Sequence, residues 1–97
     1  MNVPSRPMFV YILACRDGSL YTGWTDDLER RVQSHRDGRA AKYTRSRLPV
    51  RLVAWMQTED ASQAKSLEAR FKQLSRQEKL SALAAGQAFG IQVHKAP

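Results

Sequence analysis

Four side chains near the start of the chain have the chemistry that hydrolysis of a phosphodiester bond requires. Tyr11, Tyr21 and Arg31 follow one another at intervals of ten residues, and His35 lies one helical turn beyond Arg31. Phenol and imidazole groups can transfer protons and orient water, whereas a guanidinium binds a phosphate with two parallel hydrogen bonds. Whether these groups act together depends on the elements that position them.

A predicted β-hairpin joins the two tyrosines. Apolar, aromatic and β-branched residues flank the turn signal Asp17-Gly18 on both sides, which is typical of a hairpin. A two-residue loop would place Tyr11 and Tyr21 on opposite faces of the hairpin. A three-residue loop, with Gly18 in the left-handed conformation, pairs Tyr11 with Gly23 and places both phenols on one face. We predict the three-residue loop, because it gathers the apolar residues on the other face.

The pattern along the whole chain predicts an α/β protein of the α+β type, in which a small three-stranded antiparallel sheet is flanked by about three helices. The first helix begins after an Asp26 cap and ends at Gly38. The other predicted elements are a basic loop over 39–49, a third strand over 50–56, a helix over 60–74 and a helix from the Ser75–Glu78 capping box to about Gly86. One domain over 8–86 would then follow a flexible lead-in over 1–7, with a loosely packed tail over 87–97.

Composition points to an anionic partner. The 97 residues carry a formal net charge of +7, as is typical of proteins that bind nucleic acid. A single cysteine excludes an internal disulfide, and two histidines with that cysteine are too few for a structural zinc site. No stretch approaches the ~20 apolar residues of a membrane span. We therefore expect a cytoplasmic protein that has no membrane partner.

Five positions, in order, resemble the motifs of the GIY-YIG nuclease superfamily and most closely those of its short stand-alone bacterial members. They are Val10-Tyr11-Ile12, Tyr21-Thr22-Gly23, Arg31, His35 and, on a later helix, Glu68. The first tripeptide differs from the family's Gly-Ile-Tyr, and the second has threonine in place of isoleucine. Many family nucleases also carry an asparagine after the glutamate helix, whereas Asn2 is the only asparagine of this chain.

The resemblance implies a metal-dependent nuclease and suggests roles for its residues. One tyrosine would activate the attacking water and the other would position the water or the phosphate. A free tyrosine, with a pKa near ~10, is only about 0.1% ionised at pH 7, so nearby cations must lower that pKa before it acts as a base. Glu68 would hold one divalent metal, Mg²⁺ or Mn²⁺, together with water and substrate phosphate. Tyr11 and Tyr21 could otherwise be ordinary half-buried strand residues.

The helical positions of Arg31, His35 and Glu68 allow a structural interpretation beside the catalytic one. Arg31 and His35 flank the apolar stripe of the first helix and share a face. We expect Arg31 to stabilise charge on the scissile phosphate, and His35 to orient a tyrosine hydroxyl or to donate to the phosphate. Each could instead be an ordinary polar residue of that helix. Glu68 borders the apolar stripe of its own helix, where the alternative to metal binding is an ion pair with Lys65, Lys72 or Arg31.

A basic segment from Leu28 to Arg51 predicts contact with a nucleic-acid backbone. Its candidate binding residues are Arg30, Arg36, Arg39, Lys42, Tyr43, Arg45 and Arg47. Cations there would bind phosphates, and Tyr43 offers a ring for base stacking. The alternative is a solvated basic surface. We expect DNA in preference to RNA as the bound polymer, and a second copy of the chain or a targeting protein as a further partner.

The sequence thus predicts a nuclease of DNA repair or processing, in which a tyrosine activates water, Arg31 contacts the phosphate and Glu68 binds the metal. Two alternatives stay open. One is a non-catalytic nucleic-acid-binding module on the same fold, which the missing asparagine favours. The other is a protein whose activity needs another subunit. The sequence does not choose between endonuclease and exonuclease activity.

Overall fold

The hairpin that carries both tyrosines opens an α+β fold. The structure is a computed structural model that describes residues 6–97, so residues 1–5 of the predicted lead-in lie outside it. The elements are β1 (Met8–Ala14), β2 (Leu20–Thr25), α1 (Leu28–Arg36), α2 (Lys42–Arg45), β3 (Arg51–Thr58), α3 (Ala61–Lys72), α4 (Arg76–Ala85), β4 (Gln87–Ala88), β5 (Ile91–Gln92) and β6 (His94–Lys95). The predicted mixed fold with an antiparallel sheet and several helices is confirmed.

The register of the hairpin is the predicted one. Tyr11 of β1 lies opposite Gly23 of β2, and Leu13 lies opposite Tyr21. The intervening loop has three residues, since Cys15 donates its backbone N–H to the carbonyl of Ser19. Gly18 ends the loop in the left-handed conformation, with φ of 85°, where a residue without a Cβ is favoured. Both phenols therefore lie on one face of the sheet.

Helices cover both faces of the sheet. On one face Val10 and Ile12 pack with Leu67 and Phe71 of α3, as the apolar stripe of that helix predicts. The tyrosine face is also closed, because Val32 of α1 packs against the layer that contains Tyr11. Only 1% of the surface of Tyr11 is exposed. Because this second face is also covered, Tyr11 is a core residue, and its burial affects the pKa of its hydroxyl.

The start of the first helix differs from its prediction. The cap is Asp27, whose carboxylate accepts the backbone N–H of Arg30 at 3.1 Å, whereas Asp26 lies beside Arg6 at 3.6 Å. The extended chain of β2 continues to Thr25, whose hydroxyl accepts the N–H of Asp27 and moves the cap by one residue. The predicted basic loop also contains the short helix α2.

The later helix signals are confirmed. Asp60 caps α3 by accepting the backbone N–H of Gln63. Ser75 and Glu78 form the reciprocal capping box of α4, and Gly86 ends that helix with a left-handed φ of 76°. Within residues 6–97, no helix has both the length and the apolar character needed to cross a membrane.

The tail packs more closely than its sequence indicates. β6 pairs with β3, with Trp55 opposite His94. The main sheet over residues 6–97 therefore has four strands, in the order β2-β1-β3-β6, and not the predicted three. Val93 and Ala88 are buried in the core beside the α3 face. At the other end of this order, β2 forms an edge of the sheet, and the candidate site lies beside that edge.

Candidate active site

Four of the predicted site residues meet at the hydroxyl of Tyr11. That oxygen lies 2.8 Å from Nε2 of His35, and Nε of Arg31 donates to it at 3.4 Å. The ring of Tyr21 lies 6.4 Å from that of Tyr11 and 5.1 Å from the imidazole, measured between centroids. The predicted convergence of two phenols, a guanidinium and an imidazole is thus present in the fold.

Gly23 makes room for this arrangement at the edge of the sheet. A Cβ placed on Gly23 would overlap the hydroxyl of Tyr11 and would lie 2.6 Å from its Cζ atom. The ring is buried and cannot move aside, so a larger residue would displace the phenol. Glycine here therefore serves the close approach of a ring to the backbone, rather than a special backbone angle.

The hydrogen bonds around His35 have a definite direction. Thr44 donates its hydroxyl proton to the carbonyl of Ala41 at 3.2 Å, so its oxygen accepts from Nδ1 of His35 at 2.8 Å. A neutral imidazole that donates from Nδ1 must accept at Nε2. The hydroxyl of Tyr11 therefore donates to His35 and accepts from Arg31. The hydrogen bonds therefore run in one direction: Tyr11 donates to His35, and His35 donates to Thr44.

The pKa values of this cluster follow from its burial. Burial, followed by the positive charge of Arg31, lowers the pKa of His35 from its ordinary 6.5 to about 4, so the ring is neutral at pH 7. Burial also raises the pKa of Tyr11, and the hydrogen bond from Arg31 opposes this effect without cancelling it. We expected neighbouring cations to lower the pKa of a tyrosine. At Tyr11 the loss of hydration outweighs them.

Arg31 connects the buried hydroxyl to solvent. The residue is exposed although its Nε atom contacts the core. A cavity of about 420 Å³ opens beside it and is bordered by cationic, acidic and hydroxyl side chains, namely Arg6, Arg30, Asp26, Asp27, Thr25 and Ser34. The remaining guanidinium N–H groups can therefore reach an anion that arrives from outside.

Glu68 lies near the cluster and is partly buried. Its side chain is 21% exposed and its carboxylate is 3.4 Å from Nζ of Lys72. Of the ion pairs considered from sequence, the one with Lys72 is present. The charge of Glu68 is a small contribution to the raised pKa of Tyr11, after burial and Tyr21. The negative charge of Glu68 therefore acts, weakly, on the hydroxyl of Tyr11.

The donor set fits one weakly held hard cation. Among residues 6–97, no three His, Cys, Asp or Glu side chains come together as a ligand group. Mg²⁺ keeps several of its waters and is commonly bound by one or two carboxylates with substrate phosphates. A single carboxylate such as Glu68 suits that mode of binding, whereas a closed protein cage is not available within this part of the chain.

The basic segment contains several exposed cations and one cation, Arg47, that is bound by other side chains of the protein. The exposed members are Arg30, Arg36, Arg39, Lys42 and Arg45. Among them, Arg39 pairs with Asp37 at 3.0 Å but stays 74% exposed. The guanidinium of Arg47 instead binds Asp17 and lies 3.7 Å from the centre of the Tyr43 ring. Tyr43 in turn stacks on Tyr21, at 5.9 Å between centroids, so the site and the basic segment are continuous.

Thr44 is a component of the cluster that sequence reasoning missed. It is fully buried, and its oxygen orients His35 from nine residues away. It lies among exposed cations in a segment without helical or strand periodicity, so no local pattern marks it. The one available signal was its position next to Tyr43, in the segment between His35 and Glu68.

Comparison with known proteins identifies the class to which this fold and site belong. A family model described as the GIY-YIG catalytic domain matches residues 7–81. The chain is 48% identical over 77 residues to the UPF0213 protein CPE1444 of Clostridium perfringens, covering 79% of this chain and 83% of that one. It is also 48% identical over 75 residues to the UPF0213 protein SAG0778 of Streptococcus agalactiae, with 77% and 85% covered.

Two solution NMR structures are similar in fold. That of the UPF0213 protein BH0048 from Bacillus halodurans has 42% identity and a TM-score of 0.56, covering 86% of this chain and 88% of the other. That of the protein EF2693 from E. faecalis has 37% identity and a TM-score of 0.54, with 81% and 85% covered. The chain therefore belongs to the GIY-YIG superfamily of nucleases, and three of the four relatives described here are named UPF0213 proteins.

Proposed function

We propose that this protein hydrolyses phosphodiester bonds of nucleic acid in a metal-dependent reaction. The observation that carries the proposal is the hydroxyl of Tyr11, which His35 and Arg31 bind together beside the ring of Tyr21. This phenol donates to a neutral imidazole and accepts from a guanidinium. It can therefore take a proton from water while its own proton moves to the imidazole. This arrangement avoids the free phenolate, which the raised pKa of Tyr11 disfavours.

The proposed reaction assigns a role to each residue of the cluster. Water attacks the phosphorus atom and gives its proton to Tyr11, while the proton of Tyr11 moves to Nε2 of His35. The bond from phosphorus to the leaving oxygen breaks, and that oxygen takes a proton from solvent. The half-buried Tyr21 orients the water. Arg31 binds the phosphate oxygens and stabilises the charge that develops on them.

Glu68 is the residue that would hold the metal. Its partly buried carboxylate would bind Mg²⁺ or Mn²⁺ together with waters and a phosphate oxygen. The chemistry supplied by a bound ion of this kind is neutralisation of negative charge on the phosphate and the leaving oxygen. Lys72 lies 3.4 Å from one oxygen of that carboxylate, so an ion would bind the other oxygen or displace Lys72.

We propose DNA in preference to RNA as the substrate, with the exposed cations of the basic segment binding the backbone. Those cations lie on α1, on α2 and in the connecting chain, next to Arg31 and Tyr21. A role in DNA repair or processing in the cytoplasm follows from that choice. A second copy of the chain or a targeting protein would then select the site of action.

The test of the proposal is cleavage of single-stranded, duplex and branched DNA and of RNA, with Mg²⁺, with Mn²⁺ and with chelator. We expect metal-dependent cleavage of at least one of these substrates. No cleavage of any of them by the folded protein at high metal would contradict the proposal.

The first variant to compare is Arg31→Ala. We expect cleavage to fall by roughly 10²–10³-fold, as when a donor to a developing charge is removed. Stability should change little because Arg31 is exposed. Arg70→Ala removes an exposed cation of α3 that lies outside the basic segment and should cut at close to the wild-type rate. Equal rates in wild type and Arg31→Ala would refute the role of Arg31.

A non-catalytic nucleic-acid-binding module is the second candidate function. Two observations favour it: Lys72 occupies the carboxylate of Glu68, and the chain lacks the asparagine of many family nucleases. In this case binding would be retained and cleavage absent with every substrate.

The Glu68→Gln variant separates the two functions. If Glu68 binds the metal, the variant should lose metal-dependent cleavage, bind nucleic acid at least as tightly and unfold at the same denaturant concentration. Its pair with Lys72 is half-exposed, so its loss should cost less than about 1 kcal/mol. A stable variant that cleaves as fast as wild type would remove Glu68 from the mechanism.

A further inference from the structure

We propose that Arg47 is a positioning residue, which together with Asp17 holds Tyr43 against Tyr21 and so fixes Tyr21 in the site. The proposal rests on the proposed function, in which Tyr21 orients the attacking water. It replaces the expectation that Arg47 is one of the cations that contact nucleic acid.

The contacts of the Arg47 guanidinium are internal. Nε donates to the carboxylate of Asp17 at 3.0 Å, and Nη1 donates to the carbonyl of Tyr43 at 3.0 Å and to the hydroxyl of Ser46 at 3.1 Å. Its side chain is 34% exposed, against 74% for Arg39. These contacts use three of the five N–H donors of the guanidinium, so only those on Nη2 are left for a phosphate.

Asp17 is itself held in place, which makes it a fixed anchor. Its carboxylate accepts the backbone N–H of Ser19 at 3.0 Å and the hydroxyl of Ser19 at 2.6 Å. These hydrogen bonds, and to a smaller extent Arg47, lower the pKa of Asp17. The backbone N–H of Arg16 also donates to the carbonyl of Arg47 at 3.0 Å. The hairpin loop and the segment after α2 are thus joined twice.

Contacts between aromatic rings connect the anchored Arg47 to the site. The Arg47 guanidinium lies 3.7 Å from the centre of the Tyr43 ring, which stacks on Tyr21 at 5.9 Å with 29° between the planes. Tyr21 in turn lies 5.1 Å from His35. Tyr43 is 39% exposed, so packing alone does not enclose it. The guanidinium is the contact that keeps this ring against Tyr21.

The experiment compares Arg47→Ala, Arg47→Lys and the control Arg39→Ala in the full chain. Tyrosine rings labelled with ¹³C give NMR signals from only three residues, Tyr11, Tyr21 and Tyr43. Arg47→Ala should shift the ring signals of Tyr21 and Tyr43 in the free protein, and Arg39→Ala should leave them unchanged. For cleavage, kcat of Arg47→Ala should fall by roughly tenfold to a hundredfold with KM nearly constant, as expected for a misplaced group.

The lysine variant distinguishes geometry from charge. Lysine keeps the positive charge but lacks the planar fork that binds Asp17 and covers the Tyr43 ring. We therefore expect Arg47→Lys to show most of the defect of Arg47→Ala. If Arg47→Ala does not fold, Asp17→Asn provides a milder loss of the same anchor and should shift the Tyr21 signals in the same direction.

Two results would overturn the proposal. One is an unchanged Tyr21 ring spectrum in Arg47→Ala. The other is a raised KM with unchanged kcat that Arg47→Lys restores, since this would make Arg47 a phosphate contact. If the wild type cleaves nothing, the proposed function fails separately, and the ring spectra still decide whether Arg47 positions Tyr21.

Discussion

At the scale of single residues, the cluster depends on keeping His35 neutral inside the protein. The ring is fully buried between the hydroxyls of Tyr11 and Thr44, and both of its nitrogens are used. A proton already on Nε2 in the resting protein would remove the acceptor of the Tyr11 hydroxyl and would place a second positive charge beside Arg31. Protonation of this ring therefore opposes both folding and the proposed proton transfer.

Folding stability should consequently fall at mildly acid pH. The unfolded chain takes up a proton on His35 near pH 6.5, whereas the folded state takes it up only near pH 4. The contribution is complete above pH 6.5 and is lost as the pH falls towards 4, by about 3 kcal/mol in all. Urea unfolding of wild type and His35→Gln at several pH values measures this difference.

The other histidine provides the control for that measurement. His35→Gln should flatten the dependence on pH, and His94→Gln measures the effect of the same substitution outside the cluster. If the His35→Gln curve ran parallel to the wild-type curve between pH 6.5 and 4, His35 would be free to protonate in the folded state. The assigned direction of the hydrogen bonds would then be wrong.

At the scale of elements, the edge strand β2 and the tail lie at opposite sides of the sheet and have different roles. β2, which carries Gly23 and Tyr21, lies at an edge of the sheet, and this is the side from which we propose that nucleic acid reaches the cluster. The other side of the sheet is extended by β6, which pairs with β3. The Val93 side chain just before β6 is 4% exposed and packs in the core. The tail thus completes the core on the α3 side of the sheet.

Val93→Ala should therefore destabilise the protein without altering the site. Removal of its buried methyl groups should cost about 2 kcal/mol. Denaturant unfolding measures that loss, and Ile91→Ala, at a half-buried position, should cost less. An unchanged unfolding midpoint in Val93→Ala would show that the tail is not part of the cooperative core.

At the scale of the whole molecule, charge is distributed so that an anionic polymer can meet the site. The net charge is +7, and exposed cations of α1 and α2 border the edge of the cluster. Arg47 is held by Asp17 and is not expected to join them. The exposed cations are expected to bind phosphates through counterion release, which makes affinity depend on salt.

Binding should weaken with salt in a way that identifies the cations involved. If about four to six phosphates are contacted, log K should fall against log salt with a slope of roughly −3 to −5. Replacing Arg39, Lys42 and Arg45 together by glutamine should flatten the slope by about one unit for each phosphate that is no longer neutralised. Replacing Arg70, Lys79 and Lys95 removes equal charge elsewhere and should flatten it less. A wild-type slope near zero would mean that the segment is only a solvated surface.

The sequence by itself determined the features that depend on neighbouring residues. The hairpin register follows from a three-residue loop that ends at Gly18, and the bounds of α4 follow from the Ser75–Glu78 box and from Gly86. These signals are local, so their physical causes are contained in a few consecutive residues. The likeness to the GIY-YIG superfamily was readable for the same reason, because its motifs keep their order and spacing along the chain.

Only the tertiary structure decided the chemistry of those residues. The raised pKa of Tyr11 arises because α1 closes the second face of the sheet. Thr44 orients His35, and Asp17 holds Arg47 across thirty positions of the chain. Each of these effects depends on groups that folding brings together from distant positions, and hydration and charge at a site are set by all the groups around it. No pattern within one element contains that information.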